Sequence, residues 1–122
     1  MNYTNRIEKL TCHCKEVEIE LKLVKGLEDL VRCNCSICKR RGSIMGKIKL
    51  KNLKIVKGHD KLKVYKFGKK QHAEHFFCSF CGIYTHHRSY TNPENFEFNL
   101  ACIENVDTFK YKDIPVFDGK KL

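Results

Sequence analysis

An all-β fold of several small antiparallel sheets is what this sequence predicts, and three observations carry the prediction. Apolar residues alternate with charged ones in short runs, turn signals separate the runs, and seven of the eight cysteines gather in three tight clusters. Alternation with period two marks a half-buried strand. The clusters supply pins for sheets too small to stand alone.

The elements follow in order. Val17, Ile19, Leu21 and Leu23 alternate with Glu18, Glu20 and Lys22, predicting a strand. Ile48 and Leu50 alternate with lysines in KIKLK, and Leu53, Ile55 and Val56 continue the apolar spacing after Asn52. Leu62, Val64, Tyr65 and Phe67 form a further run that Gly68 ends, and Phe96, Phe98 and Leu100 alternate with Glu97 and Asn99. Turn chemistry falls at Gly58-His59-Asp60, Gly68-Lys69-Lys70 and Thr91-Asn92-Pro93-Glu94. Helix is expected only as a turn or two within 27–32 and 104–110. No linker, repeat or low-complexity run interrupts the chain, so residues 1–122 are expected to form a single domain.

The cysteine clusters are Cys12-His13-Cys14, then Cys33, Cys35 and Cys38, then Cys78-Ser79-Phe80-Cys81. Sulfurs one or two residues apart converge easily on one ion but meet disulfide geometry poorly. The chain therefore reads as a zinc protein. Cys12 and Cys14 are expected just before the first strand, Cys33 to Cys38 in an irregular loop, and Cys78 and Cys81 in a knuckle whose backbone N–H groups aim at sulfur. Spacing leaves three partitions open. The favoured one puts Cys12, Cys14, Cys78 and Cys81 around a closed structural ion. Cys33, Cys35 and Cys38 then hold a second ion whose fourth position takes water or a substrate thiolate. The others are a zinc ribbon using the middle cluster with Cys78 and Cys81, and a middle cluster closed by a histidine.

Composition narrows the function. The formal net charge is +10 and hydrophobic residues make up 42% of the chain. Seven thiolates and two ions bring the charge to about +7. A lysine-rich solvated surface is the plainest account of this charge. Attraction of a small anionic substrate comes second and nucleic-acid binding last, because the lysines are scattered over 47–70 and 110–121 rather than massed. The start MNYTNRIEKL lacks the apolar core of a signal peptide, and no stretch reaches the ~18 apolar residues of a membrane span. A cytoplasmic protein, with thiols kept reduced, is the expectation.

The segments LTCHCKEVEIEL, CNCSICKRRG and EHFFCSFCGIY, with IVKGHDKLKVYKFG, NLACIEN and the tail PVFDGKKL, resemble the glutathione-dependent formaldehyde-activating enzyme family, which includes centromere protein V and its relatives. The resemblance spans nearly the whole chain. It implies an Mss4-like fold, a structural zinc on Cys12, Cys14, Cys78 and Cys81, and a second, catalytic zinc on Cys33, Cys35 and Cys38. The implied activity is that of a carbon–sulfur lyase condensing formaldehyde with glutathione to S-hydroxymethylglutathione. The implied partners are thus a small thiol, such as glutathione, and an aldehyde. One position departs from the family's pattern: Lys15 stands where a glycine usually follows the first cysteine pair.

For that chemistry, Lys39, Arg40 and Arg41 are candidate clamps for the thiol's carboxylates, against a plainer reading as solvent-facing charges. His13 should point away from metal, and His59 and His72 should lie on the surface. His75, matching the family's His-x-Phe-Cys element, is expected to pack near the knuckle, against a second reading as part of the site, and one of His86 and His87 to face inward. Cys102, placed on the strand after Leu100, is expected to be a buried free thiol. The alternative function is a non-catalytic zinc-binding module whose basic surface engages an anionic partner; a zinc or thiol-redox buffer is a third.

Overall fold

A computed structural model describes residues 6–24, 26–27 and 29–120. Of the segments read above, residues 1–5 of the start, residue 28, and Lys121 and Leu122 of the tail lie outside the described residues.

The chain is mostly β, in small sheets. Strands β1 (Arg6–Thr11), β2 (Glu18–Leu23) and β5 (Leu53–Lys57) form an antiparallel sheet with β2 central. Strands β4 (Met45–Lys49), β9 (Asn95–Asn99), β8 (Tyr84–Arg88), β7 (Ala73–Cys78) and β6 (Leu62–Phe67) lie side by side in that order in a larger antiparallel sheet. Strands β3 (Arg32–Cys33) and β10 (Val116–Phe117) pair in parallel, an exception to the antiparallel expectation that ties the tail to the middle cysteine cluster.

The alternation in β2 translates directly into burial. Val17, Ile19 and Leu21 are fully buried and Leu23 nearly so, while Lys22 is exposed. They pack with Leu10, Ile44, Ile48, Phe98, Leu100 and Ile103, and the sulfurs of Cys12 and Cys78 belong to the same core. The other patterned runs lie where expected with small shifts. Leu50 and Leu100 sit in 3-10 turns just past strand ends rather than in the strands themselves.

Several expectations are corrected. Strand β1 precedes Cys12, so the first cysteine pair sits in the β1–β2 turn rather than before the first strand. The missed signal is weak because β1 is an edge strand: Ile7 is exposed and Leu10 is buried three residues on, off a strand's period. No helical turn is found among the described residues of 27–32. The helix α1 instead spans Ser36–Arg41, beginning within the Cys33 to Cys38 segment read as irregular loop and running past its end. It starts at Cys35, whose carbonyl accepts from Lys39 N at 2.8 Å, and ends at the left-handed Gly42. Lys39, Arg40 and Arg41 fill its last turn, where cations offset the partial negative charge of a helix C-terminus. A single 3-10 turn, Thr108–Lys110, occupies the end of 104–110.

Candidate metal centres and the adjoining cleft

Two groups of thiols come together: Cys12, Cys14, Cys78 and Cys81 in one, and Cys33, Cys35 and Cys38 in the other, with the sulfurs of each group within 4.8 Å of one another. The four-plus-three partition is therefore the one the fold builds, and no histidine joins either group among the described residues.

The tetrad joins two tight turns. Cys12 and Cys14 lie in the β1–β2 turn, where Val17 N donates to Cys12 Sγ at 3.3 Å. Cys78 ends β7, and Phe80 N donates to its sulfur at 3.4 Å, the knuckle geometry that the spacing predicted. Gly82 closes this turn at φ 78 with its N–H on Cys78 O, a backbone conformation natural to glycine. Cys14 Sγ is 3.7 Å from both Cys12 Sγ and Cys78 Sγ. That is far longer than a disulfide and matches the ~3.8 Å edge of a tetrahedron of sulfurs at ~2.3 Å from zinc.

Electrostatics of the tetrad also call for a cation. The Glu16 N–H draws the Cys14 thiol down, but desolvation and the sulfurs of Cys12, Cys78 and Cys81 outweigh it and push it up to about 12. Desolvation opposes ionisation of Cys81, yet the backbone N–H groups of Cys14 and Ile83 and the Cys78 and Cys14 side chains hold it down to about 6. Sulfurs this close cannot all ionise unaided. A divalent cation supplies the missing charge, so each cluster is able to hold a metal ion, and thiolate donors suit zinc.

The trio is built differently. Cys33 ends β3, Cys35 caps α1 and Cys38 lies buried in its first turn. Cys35 N donates to Cys33 Sγ at 3.4 Å. Burial would raise Cys35, but the backbone N–H of Cys38, the side chains of Cys38 and Cys33 and the Ile37 N–H outweigh it and hold the thiol below its ordinary value. Burial, then the Cys35 side chain, push Cys38 well above the ordinary range despite the Arg41 charge nearby. The tail closes over the trio. Asn34 N donates to Phe117 O at 3.2 Å, and Gly119 N donates to Asn34 Oδ1 at 2.7 Å. Gly119 is buried so closely that a Cβ there would fall 2.6 Å from Cys33 Sγ and 2.9 Å from Cys35 Cβ. Only glycine permits this approach.

All three sulfur-bearing residues of the trio line a cleft of about 680 Å³, and no tetrad cysteine does. This volume falls in the ~300–1,000 Å³ range of small-molecule sites. The floor comes from strand register. Across the larger sheet, Tyr65 pairs with His75, His75 with His87, His87 with Glu97, and Glu97 with Lys47. The last four of these line the cleft, beneath walls that include Val31, Ile37, Phe67 and Phe117. His87 Nε2 lies 2.7 Å from Glu97 Oε2, and its Nδ1 lies 2.6 Å from the Tyr84 hydroxyl. Burial holds His75 down to about 3, helped by the charges of His87 and Arg41.

The remaining sequence candidates sort clearly. His13, His59 and His72 are exposed, as expected. Both His86 and His87 are buried, on opposite faces of β8. Cys102 lies in a 3-10 turn rather than a strand and stays outside both metal groups. Burial pushes its thiol up to about 12. Of the candidate carboxylate clamps, Lys39 and Arg40 are exposed, as the plainer reading has them, and Arg41 turns inward onto His75 and Tyr84; none of the three lines the trio's cleft. The cations lining the trio's cleft are instead Lys47, Lys69, Arg88 and Lys120. Arg88 is engaged by Glu74 at 3.0 Å, while no ion pair among the described residues occupies the three lysines. Nothing local in the sequence singles these lysines out from the rest.

Fold and site together define a small β protein with two thiol clusters able to hold metal ions, a tetrad away from the cleft and a trio lining it. The model of the glutathione-dependent formaldehyde-activating enzyme family matches residues 8–117, and the chain belongs to that family. It is similar to a Rhodobacter sphaeroides protein of known crystal structure, with 44% sequence identity and a TM-score of 0.84 over 89% of this chain and 99% of that one. Formaldehyde-activating chemistry is general to the family, whose name implies glutathione and formaldehyde as substrates.

Proposed function

We propose that the protein is a zinc-dependent carbon–sulfur lyase that condenses an aldehyde such as formaldehyde with glutathione or a similar carboxylate-bearing thiol. Cys33, Cys35 and Cys38 hold the catalytic ion, and Cys12, Cys14, Cys78 and Cys81 hold a structural one. The observation that carries this reading is the asymmetry between the groups: the trio opens onto the cleft and the tetrad does not. When bound, zinc on three thiolates keeps a fourth position for a substrate sulfur and holds it deprotonated near neutral pH.

The chain's own residues supply the rest. Lys47, Lys69 and Lys120, which line the cleft, face the carboxylates of the thiol. Val31, Ile37, Phe67 and Phe117 exclude water beside the sulfur and confine the aldehyde there. Confinement of two reactants is worth several kcal/mol of barrier, up to ~7–11 when alignment is good. Three thiolate donors weaken the ion as a Lewis acid, so the metal's own share of the acceleration is modest. Such thiols call for a reducing compartment, and the cytoplasm is the location this reading carries.

The test is metal stoichiometry and sulfur count by X-ray absorption, with and without glutathione, alongside exchange NMR of the thiol–aldehyde equilibrium. Two zinc ions per chain, an added sulfur with glutathione, and faster exchange are expected. Cys35→Ser should remove the second ion and the acceleration together. Unchanged zinc content and turnover in that variant would end the proposal.

A further inference from the structure

The cleft holds one ring hydrogen whose position geometry determines and which the reaction described above leaves unused. His75 lies between Phe67, with ring centres 5.2 Å apart, and His87, stacked at 4.4 Å with planes 8° apart. Arg41 Nη1 sits 3.1 Å from His75 Nδ1. A guanidinium can only donate. His75 Nδ1 is therefore the acceptor, and the ring hydrogen belongs to Nε2. Arg41 is itself held in place, 3.6 Å over the ring of Tyr84.

His75 Nε2 has no hydrogen-bond partner among the described residues, and it is not among their sealed polar atoms, of which Ser43 Oγ alone lacks a partner. His75 lines the same cleft as Cys38, while Arg41 and Tyr84, which hold its Nδ1 side, do not line that cleft. The neighbouring His87 cannot serve in its place, because Glu97 and Tyr84 occupy both its nitrogens. An accessible N–H left over in an otherwise satisfied, largely apolar stack is a donor available to a ligand oxygen.

We propose that His75 is a catalytic hydrogen-bond donor: its Nε2–H binds the aldehyde oxygen and stabilises the alkoxide that develops there, while Arg41 is the positioning residue that sets the tautomer. The role rests on the thiol–aldehyde reading given above. In the step, a sulfur lone pair forms the carbon–sulfur bond and the carbonyl π pair moves onto oxygen. The proton released when the thiol ionised returns to that oxygen through solvent. His75 keeps its own proton throughout, and no oxidant or reductant is consumed. In reverse, the same hydrogen bond stabilises the same alkoxide as the carbon–sulfur bond breaks.

Two readouts test this. Long-range ¹H–¹⁵N correlation on the labelled, zinc-loaded protein should show His75 protonated on Nε2 and bare on Nδ1, with mixed tautomers in Arg41→Leu. In exchange kinetics, His75→Phe should lower kcat/KM for formaldehyde by roughly 10²-fold, as loss of one oxyanion donor does. Zinc content and half-saturating glutathione should stay unchanged. His75→Gln, which keeps a donor amide, should recover part of the loss. A proton on Nδ1 overturns the proposal even if no variant folds. Full turnover in His75→Phe overturns it too and leaves the thiol–aldehyde reading intact. A two-zinc wild-type protein without any such turnover removes that reading, and the His75 role with it.

Discussion

Lys15 sits at φ 68, a left-handed conformation that costs a residue with a Cβ roughly 1–2 kcal/mol. It is held there by Lys15 N donating to Cys12 O at 3.2 Å, which completes the turn around the first ligand pair. The side chain offsets part of the cost by reaching Glu104 at 3.1 Å, but this exposed pair is a weak contributor. Lys15→Gly should therefore raise stability by ~0.5 kcal/mol, since glycine's greater freedom in the unfolded chain cancels part of the gain. Urea titration of the zinc-loaded protein checks this, and a loss would mean that the Glu104 contact outweighs the backbone strain. His86 makes a second prediction. It is stacked on Phe76 at 4.6 Å and hydrogen-bonded with Thr85 at 2.8 Å, and burial together with the nearby His87 holds it down to about 3. The folded state thus binds fewer protons than the unfolded one between about pH 3 and pH 6.5, so stability falls as pH falls through that window. The stability difference between wild type and His86→Phe should shift in favour of the variant on acidification, by up to ~1.4 kcal/mol per pH unit. A pH-independent difference would show that His86 does not titrate on unfolding.

At the scale of elements, the cleft draws on strands that the sequence hid, β8 and β10 among them. Strand β8 buries four consecutive residues, Tyr84, Thr85, His86 and His87, because both faces of this central strand are covered. Two-sided burial erases alternation, and the polar side chains disguise the burial. The tail strand β10 is only two residues long and exposed, too short for any periodic signal, yet it carries Gly119 to the trio. Gly119→Ala should push Cys33 and Cys35 apart, lowering zinc occupancy of the trio while the tetrad stays filled. One zinc per chain with an unchanged circular dichroism spectrum is the expected result, and two tightly held ions would contradict the packing argument.

At the scale of the molecule, the tetrad joins turns of the two larger sheets, and an ion held there would staple them. Cys12 and Cys78 are at most 1% exposed and belong to the main core, although 66 positions separate them in the chain. A structural zinc site contributes ~10–16 kcal/mol, as much as the whole net stability of a domain, ~5–15 kcal/mol. Chelation should therefore proceed in two stages. The ion on the open trio leaves first with the sheets intact, and the second leaves only as the chain unfolds. Metal release followed in parallel with circular dichroism tests this, and Cys78→Ser should fail to fold stably. No helix among the described residues is long and apolar enough to cross a membrane.

The sequence alone determined what spacing along the chain can encode. Cysteines one or two residues apart converge through local turn geometry, and the alternation from Val17 to Leu23 needs only the pleat of a strand to become a buried face. Only the tertiary structure decided which cations face the trio, how Gly119 seals it, and that Arg41 reaches His75 rather than solvent. Those facts depend on strand register and on contacts between residues 34 to 85 positions apart, such as Arg41 with His75 and Asn34 with Gly119. No local signal carries them, because the free energy that sets such contacts belongs to the packed whole rather than to either segment.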